Sequence, residues 1–393
     1  MSTNSVDSAS APIRVAYVID NLRRDGAQKH LVDLVNGLSE RGYEQRVYCL
    51  NDSVNAEIVH LLSAEARVVI VGKLQLVTLT GLARLFAEFR RWHPLIVQTF
   101  LPFGNTIGCT VAHLANVPII ASSIRARNVD KRGWQFLFDR VTVRWVDAVV
   151  FNSRQVIPFA IAKEGVRAEQ AVYIPNGVKV EHQDGSLRVS RIRSELGITS
   201  ATKVTGMVGR LYPQKGHHFL LTAFARVLEE IPDAVLLVVG SGPLRHELRA
   251  KAARLGIAGR VHFLGERADV PGLLACMDVY VQASLWEGMP NAVMEAMAAG
   301  KPVVATGVDG TRELITHGET GWLVEPSNAE AIADRIVYVL NNVAEAKCIG
   351  AAAIQRVATD FSVDNMISGY DRLYRGLAMR VCSESHGCLG SRP

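Results

Sequence analysis

Short apolar segments alternate with helix-patterned segments along the second half of the chain, and this alternation restricts the fold more than any other feature. Strand-like apolar runs occur at residues 203–208, 234–239, 260–263, 278–282 and 301–305. Helix-like stretches occur at residues 218–230, from the turn at residues 240–243 to about residue 255, and at 270–275, 291–299 and 328–340. Such alternation is typical of a parallel sheet with helices on both faces. We therefore predict an α/β fold, with a doubly wound, Rossmann-like domain in this half.

The first half repeats this alternation with shorter strands. Its strand-like and helix-like runs lie at residues 14–19, 28–39, 45–50, 67–71, 95–99, 118–121 and 148–151. A turn at Pro175-Asn176-Gly177 and the polar residues after it predict a linker. We therefore predict two Rossmann-like domains, at residues 12–180 and 190–360, that face a central cleft. The length of 393 residues allows two domains at about 150 residues each.

Composition excludes several classes of protein. The 6 cysteines are scattered and form no Cys-x-x-Cys, so neither a disulfide framework nor a zinc ribbon is expected, and a cytoplasmic, reducing compartment fits best. The first twelve residues lack the pattern of a signal peptide, and no apolar run approaches the length of a membrane span. The net charge of +5 is too small to indicate a nucleic-acid partner.

Two cations lie in a glycine-flanked loop after the strand at residues 203–208. The loop begins Gly209-Arg210 and ends Lys215-Gly216. Ligands of open α/β sheets bind beyond the carboxyl ends of the strands. Arginine binds phosphate through its planar fork and lysine as a point charge, so the two can converge on a diphosphate. The alternative is that both are solvated surface cations.

The next strand ends in Gly240-Ser241-Gly242-Pro243, which is part of a dinucleotide-binding fingerprint. Arg245 stands where the third glycine of that fingerprint would be, so a tight turn between strand and helix also explains the motif. No acidic residue ends the strand that follows, which counts against a dinucleotide oxidoreductase.

Two glutamates flank the predicted start of the helix at residues 291–299. Glu287 lies in the loop, Pro290 suits the first turn, and Glu295 lies one turn further on. Free N–H groups at a helix start attract phosphate, and a carboxylate can accept hydrogen bonds from both hydroxyls of a sugar diol. The neighbours of Glu295 are apolar nearly all round, so we expect it to be buried and to need a partner. The alternative is a solvated helix residue.

The run from Ser284 to Thr306 resembles the donor-site signature of retaining glycosyltransferases of the GT-B fold, specifically glycosyltransferase family 4. It reads S-L-W-E-G-M-P-N-A-V-M-E-A-M-A-A-G-K-P-V-V-A-T. Other matching motifs, in the family's order, are D-G-A-Q-K-H-L at 25–31, F-N-S at 151–153, I-P-N-G-V at 174–178, G-R-L-x4-K-G at 209–216, V-V-G-S-G-P at 238–243 and F-S-V-D from 361. The resemblance extends from about residue 14 to residue 380.

The resemblance implies that the second domain binds a nucleotide-sugar and that residues 364–381 cross back onto the first. Arg210 and Lys215 would hold the diphosphate, with Glu287 at the transferred sugar; these three are the predicted catalytic residues. Glu295 would bind the ribose hydroxyls. The remaining donor-site residues would be Gly26, Gly209, Gly240, Gly242, Gly288, Met289, Pro290 and Asn291. The first domain would bind the acceptor, and transfer would retain the anomeric configuration.

The chemistry of the residues agrees with this assignment. Cleavage of the sugar–phosphate bond leaves negative charge on the diphosphate, which fixed cations and helix N–H groups stabilise. The chain contains no Asp-x-Asp, so a chelated metal has no obvious ligand pair. We therefore predict a hexosyltransferase-type enzyme with no metal and no cofactor, in which the nucleotide-sugar is a substrate.

Basic and aromatic residues are interleaved between residues 125 and 145. Arg125 and Arg127 follow the strand at 118–121, where many relatives have a histidine. We predict that they contact an anionic group of the donor or the acceptor, and we assign them to acceptor binding; a solvated basic loop is the alternative. The segment would also suit an anionic membrane surface, a lipid-diphosphate acceptor or RNA. Inward packing of the aromatic side chains is the remaining interpretation.

The leading prediction is a retaining glycosyltransferase that moves a sugar from a nucleotide-diphosphate sugar to a saccharide or lipid-linked acceptor. It would act in polysaccharide or glycolipid biosynthesis, in the cytoplasm or on the cytoplasmic face of the membrane, with no nucleic-acid partner. One alternative is another GT-B activity, such as a sugar-nucleotide epimerase or a glucan synthase. A non-catalytic nucleotide- or RNA-binding module is the alternative from a different class.

Overall fold

The computed structural model describes residues 12–72, 79–127, 131, 133–180 and 186–387. The chain divides into two compact units. The first unit contains the chain up to Phe151, together with Ile157–Ile174 and the residues from Met366 onward. The second unit contains Asn152–Val156 and Pro175–Asn365.

The first unit is built on a sheet whose described strands are all parallel. These strands are β1 (Ile13–Ile19), β2 (Tyr43–Cys49), β3 (Arg67–Ile70), β4 (Ile96–Phe100), β5 (Ile119–Ile124), β6 (Ala148–Phe151) and β7 (Ala171–Tyr173). The helices between them are α1 (Gly26–Ser39), α2 (Ala56–Leu61), α3 (Thr80–Trp92), α4 (Cys109–Leu114), α5 (Gly133–Thr142) and α6 (Ile157–Glu164). The order across the sheet is β3-β2-β1-β4-β5-β6-β7.

The second unit has a sheet of the same kind, in the order β10-β9-β8-β11-β12-β13, with every described pair parallel. Its strands are β8 (Val204–Val208), β9 (Val235–Val239), β10 (Val261–Gly265), β11 (Val279–Gln282), β12 (Val303–Thr306) and β13 (Trp322–Val324). Its helices are α7 (Ser186–Glu195), α8 (His217–Glu230), α9 (Arg245–Arg254), α10 (Val270–Cys276), α11 (Asn291–Ala298), α12 (Thr311–Leu314), α13 (Ala329–Asn341) and α14 (Val343–Asp360).

The apolar runs of the sequence explain both cores. Every residue of β4, β6, β9, β11 and β12 is buried, as expected for parallel strands covered on both faces. In α1 the residues Leu31, Leu34, Val35 and Leu38 are buried on one face, as their spacing predicts. The prediction of two Rossmann-like α/β domains is confirmed.

Helix α15 (Val363–Gly387) carries the chain back to the first unit, as predicted. A side chain at Gly37 of α1 would meet the Ile367 side chain at 2.0 Å, so the glycine allows the two helices to pack closely. Tyr370 and Tyr374 are fully buried, and the Tyr374 hydroxyl donates to Gln98 Oε1 at 3.2 Å. The end of the chain therefore completes the core of the first unit.

Several features differ from the sequence predictions. The strands β7 and β13 were not predicted, because each has only three residues and lies at the edge of its sheet, where an apolar run is too short to stand out. Helix α7 begins at Ser186, within the segment predicted as linker. In the part of the chain that the structure describes, no helix has the length and apolar character needed to cross a membrane.

Candidate active site

The order of strands in the second unit brings two predicted loops together. Strand β8 lies between β9 and β11, so the connections run in opposite directions on either side of it, and such a switch point leaves a crevice at the carboxyl edge. The loop after β8 and the loop after β11 meet there. The Leu285 N–H donates to Gln214 O at 2.8 Å, and Gln214 Nε2 donates to Trp286 O at 2.9 Å. The two loops therefore form one hydrogen-bonded surface.

An ion pair joins two of the predicted catalytic residues across these loops. Lys215 Nζ lies 2.5 Å from Glu287 Oε1, and the two side chains are only 17% and 7% exposed. Gln282 Nε2 and Ser284 Oγ donate to the same carboxylate oxygen, at 3.0 and 2.7 Å. Because a lysine ammonium has three N–H donors, this contact with Glu287 uses only one of them. The site therefore holds Lys215 in place while leaving donors for a ligand.

Three glycines allow the loop after β8 to pack closely against the loops after β11 and β9. Gly216 has φ +65°, and a Cβ there would lie 1.9 Å from the carbonyl oxygen of Ala283. Gly240 has φ +133°, and a Cβ there would lie 2.0 Å from Gly209 O. Gly242 likewise faces the backbone of Leu211. Gly240 and Gly242 therefore pack against the loop that carries Arg210 and Lys215. A direct contact between these glycines and a ligand stays a prediction.

The charges of both glutamates affect the pKa of Tyr280. Its hydroxyl is buried and donates to Gln282 Oε1 at 2.6 Å. Burial raises the pKa of Tyr280 well above its ordinary value, and the negative charges of Glu287 and Glu295 raise it further. Both carboxylates therefore act electrostatically on the same buried phenol.

Glu295 is less buried than the sequence suggested. On helix α11 the side chains of Val293, Met294, Ala296 and Met297 are buried, whereas Glu295 is partly exposed. The prediction of a buried Glu295 was wrong because the apolar residues on either side of it cover the other faces of the helix. Glu295 therefore lies on the partly exposed face of the helix.

The start of helix α11 is held in position by contacts from two neighbouring loops. Asn176 Nδ2 donates to Asn291 Oδ1 at 2.6 Å and to Met289 O at 3.3 Å. On the other side, a Cβ at Gly310 would lie 1.9 Å from Gly288 O, so the loop after β12 packs directly on this backbone. Pro290 precedes the first helical residue, as predicted. The predicted donor-site residues 288–291 therefore form a fixed turn.

Arg210 differs from Lys215 in its surroundings. It is exposed, and its guanidinium carbon lies 5.1 Å from the centre of the Tyr212 ring. The Lys215 side chain lies closer to the start of the loop, since a Cβ built at Gly209 would be 3.6 Å from it. The two cations lie in the same loop, and the ion pair with Glu287 fixes Lys215.

The predicted residues of the first unit lie at the carboxyl edge of its own sheet. Gly26 is the first residue of α1, and Arg125 and Arg127 follow β5. Burial lowers the pKa of Arg125, while its hydrogen bond and electrostatic contact with Tyr370 act in the opposite direction. His30 Nε2 lies 3.3 Å from the Tyr370 hydroxyl, and burial together with the Arg125 charge lowers the pKa of His30. Arg125 therefore belongs to a polar cluster, which argues against a fully solvated loop.

The sequence interpretation missed Gln282, Ser284 and Asp309, which surround Glu287. The Glu287 N–H donates to Asp309 Oδ2 at 3.3 Å, and Asp309 is buried with a positive φ of 31°. The available signal was a polar residue, Gln282, at the end of the apolar strand β11, followed two residues later by Ser284. His217 is 1% exposed, and burial lowers its pKa to about 3. Within the described ranges, no three His, Cys, Asp or Glu residues are grouped to hold a metal.

Family models match both halves of the chain. The model described as Glycosyltransferase Family 4 matches residues 24–182, and the model described as Glycosyl transferases group 1 matches residues 202–342. The chain is 28% identical over 367 residues to a phosphatidyl-myo-inositol mannosyltransferase of Mycobacterium leprae, covering 90% of this chain and 93% of that protein. It is 28% identical over 259 residues to an Escherichia coli UDP-Gal:alpha-D-GlcNAc-diphosphoundecaprenol alpha-1,3-galactosyltransferase, covering 63% of this chain and 66% of that relative.

Solved structures support the fold. Anabaena Alr3699/HepE, crystallised with UDP and glucose, superposes with a TM-score of 0.82 at 23% identity, covering 93% of this chain and all of that one. WaaG, a glycosyltransferase of lipopolysaccharide biosynthesis, superposes with a TM-score of 0.72 at 18% identity. Two Rossmann-like units, with a cationic loop beside a glutamate-flanked helix in the second, define a glycosyltransferase of the GT-B class. The two matching family models place it further: the chain belongs to glycosyltransferase family 4.

Proposed function

We propose that the protein transfers a hexose from a nucleotide-diphosphate sugar to a saccharide or lipid-linked acceptor, with retention of configuration. The observation that carries this proposal is the Lys215–Glu287 ion pair at the switch point of the second sheet. It holds a cation beside the fixed turn at the start of α11, where helix N–H groups favour a phosphate. The UDP complex of Alr3699/HepE and the UDP-sugar in the name of the E. coli relative agree with such a donor.

The chemistry assigned to these residues is stabilisation of a leaving group. The bond between the sugar C1 and the diphosphate oxygen breaks, and its electron pair stays on that oxygen. Lys215, Arg210 and the amides at the start of α11 stabilise the new charge. The acceptor hydroxyl forms its bond to C1 on the same face, and the departing phosphate oxygen takes the hydroxyl proton. Glu287 positions Lys215 and contacts the transferred sugar without forming a covalent bond to it.

We expect the reaction to proceed without a metal ion, because Lys215 and Arg210 supply the positive charge that a chelated divalent cation would otherwise provide. Adding EDTA to the purified protein should leave the initial rate of sugar transfer within about twofold of the untreated rate. The control is a parallel assay with added Mg²⁺, which should not raise the rate. Loss of activity in EDTA that Mg²⁺ restores would refute metal independence.

We also propose that Glu295 binds the ribose hydroxyls of the donor. Replacing Glu295 with Gln should raise the donor KM about tenfold, because hydrogen bonds from hydroxyls to a charged acceptor are worth about 1–3 kcal/mol. Calorimetry with UDP, GDP and ADP identifies the base and should show the same loss of affinity in this variant. The exposed Glu319→Gln is the matched control. Unchanged donor KM and nucleotide affinity would remove Glu295 from the site.

The acceptor and the place of action follow as proposals from the relatives and the cysteines. Both relatives have names that contain a lipid component, diphosphoundecaprenol in one and phosphatidyl-myo-inositol in the other. We therefore propose a saccharide or lipid-linked acceptor that meets Arg125 and Arg127. The described cysteines, at positions 49, 109, 276, 348 and 382, form no disulfide with one another, which suits the cytoplasm. Tight RNA binding without nucleotide-diphosphate binding would favour the non-catalytic alternative.

A further inference from the structure

Helix α5 presents an apolar stripe to solvent. Trp134, Leu137, Phe138 and Val141 are 57%, 64%, 53% and 41% exposed. Their spacing of three, four and seven residues places them on one face of the helix. A stripe with this spacing normally packs against the core, and inward packing of the aromatic side chains was one interpretation of this sequence. That interpretation is wrong for Trp134 and Phe138.

Cations border the stripe. Arg140 is exposed and donates to the carbonyl oxygens of Lys163 and Ala162, at 3.1 and 3.3 Å. These contacts hold its guanidinium beside the end of α6 while leaving it accessible to solvent. Lys163 and Arg144 are also exposed. The border therefore carries three solvent-accessible cations.

Acidic residues close to the stripe are already paired. Asp139 on α5 lies 2.7 Å from Lys131 Nζ, and Glu164 at the end of α6 lies 3.0 Å from the same ammonium. These three side chains are at most 16% exposed. The two carboxylates thus contribute little to the electrostatic potential at the protein surface. The solvent-facing side of α5 and α6 is therefore positively charged.

A groove runs between the two helices at this face. Its volume is about 340 Å³, and it is lined by Gly133, Phe136, Leu137, Arg140 and Lys163. The floor is apolar and the two cations stand at its edge. An apolar chain with an anionic head matches this distribution of residues, because the chain can cover Phe136 and Leu137 while the head contacts the cations.

We propose that this face of α5 docks onto an anionic lipid bilayer, with the helix lying in the interface plane. The stripe of Trp134, Leu137, Phe138 and Val141 enters the boundary between head groups and acyl chains, and Arg140, Arg144 and Lys163 lie at the level of the phosphates. A tryptophan at the level of the lipid head groups is typical of proteins at membrane interfaces. The surface consists of residues outside the donor site, so the proposal does not depend on the assigned reaction.

The test is vesicle binding by the full chain. Phosphatidylcholine vesicles with about one-third phosphatidylglycerol should sediment the protein, and pure phosphatidylcholine vesicles should bind it at least about tenfold more weakly. Replacing Leu137 and Phe138 with Ser should lower the affinity at least about tenfold, because two apolar contacts are lost. Replacing Arg140 and Lys163 with Gln should reduce the dependence on phosphatidylglycerol.

A control and a depth measurement make the test specific. Leu187 is 86% exposed and lies far along the chain on α7, so Leu187→Ser should bind vesicles as the unchanged protein does. Brominated lipids should quench tryptophan fluorescence, and Trp134→Phe should abolish the quenching while preserving binding. Circular dichroism and the Tm of each variant verify folding, since the replaced side chains are exposed.

Three results would overturn the proposal. The first is absence of binding to the phosphatidylglycerol vesicles. The second is binding that Leu137→Ser with Phe138→Ser leaves unchanged. The third is a shift from dimer to monomer in sedimentation velocity, caused by those two changes while vesicle binding persists, which would assign the face to a second copy of the chain.

Discussion

Replacing Lys215 with Met should lower kcat for sugar transfer about 100- to 1,000-fold, which is the usual effect of removing one preorganised donor to a developing anion. The substitution removes the ammonium that Glu287 holds 2.5 Å away, while the methionine keeps most of the volume of the side chain. The measurement is initial-rate kinetics at saturating donor. Lys347→Met is the matched control, because Lys347 is exposed on α14 in the same unit.

The same substitution should also reveal the energetic role of Glu287. Removing one partner of a buried ion pair leaves an uncompensated charge, so Lys215→Met should lower the free energy of unfolding by about 3 kcal/mol. Adding Glu287→Gln should recover much of that stability but none of the activity. A variant with normal kcat would show that Lys215 does not stabilise the leaving group. If the double variant regained activity, the loss in the single variant would reflect misfolding.

Gly216→Ala is expected to damage both folding and activity. A Cβ at this position would lie 1.9 Å from the Ala283 carbonyl oxygen, and φ is +65°, which alanine adopts only with strain. We expect a loss of about 3 kcal/mol in the free energy of unfolding, because the clash is with backbone and one of the two loops must move. Activity should fall as well, since the two loops carry Lys215 and Glu287, and movement of either one disturbs their ion pair.

Urea denaturation and the same transfer assay measure these two effects. Gly259→Ala provides the comparison, because no atom lies within 4 Å of a Cβ built at Gly259. The free energy of unfolding of that variant should lie within about 0.5 kcal/mol of the value for the unchanged protein. Its rate of sugar transfer should be unchanged. If Gly216→Ala were equally harmless, the close approach of the loops after β8 and β11 would not be required for the site.

The sequence predicts the strands of both sheets except the edge strands β7 and β13, because each of the others is a short apolar run between polar turns. It also predicts the loops that carry the site, since the Arg210–Lys215 loop and the Glu287 loop each follow such a run. It does not predict their contact. Lys215 and Glu287 are 72 residues apart in the chain, and their pairing depends on β8 and β11 being neighbours. Strand order is a long-range property that a local pattern of apolar residues does not encode.

The errors share a physical cause. Local composition around Glu295 is apolar, but a helix has several faces, and only the packing of α11 on its sheet determines which one stays open. The same holds for α5, where aromatic residues suggested a buried face and the fold left Trp134 outside. Residues such as Asp309 are identifiable only after β12 is placed beside β11.

The ion pair between Glu287 and Lys215 also affects how strongly the site binds small anions when no donor is present. Because Glu287 largely cancels the ammonium charge, we expect free phosphate and other small anions to gain little by entering. Under the proposed function, they should compete poorly with a nucleotide-sugar that is also bound through its sugar and ribose. In the proposed reaction the attraction grows as bond cleavage concentrates additional charge on the bridging oxygen, so the pair should favour the transition state over the bound reactant. We then expect the nucleotide product to be released more readily than it would be from an unscreened lysine.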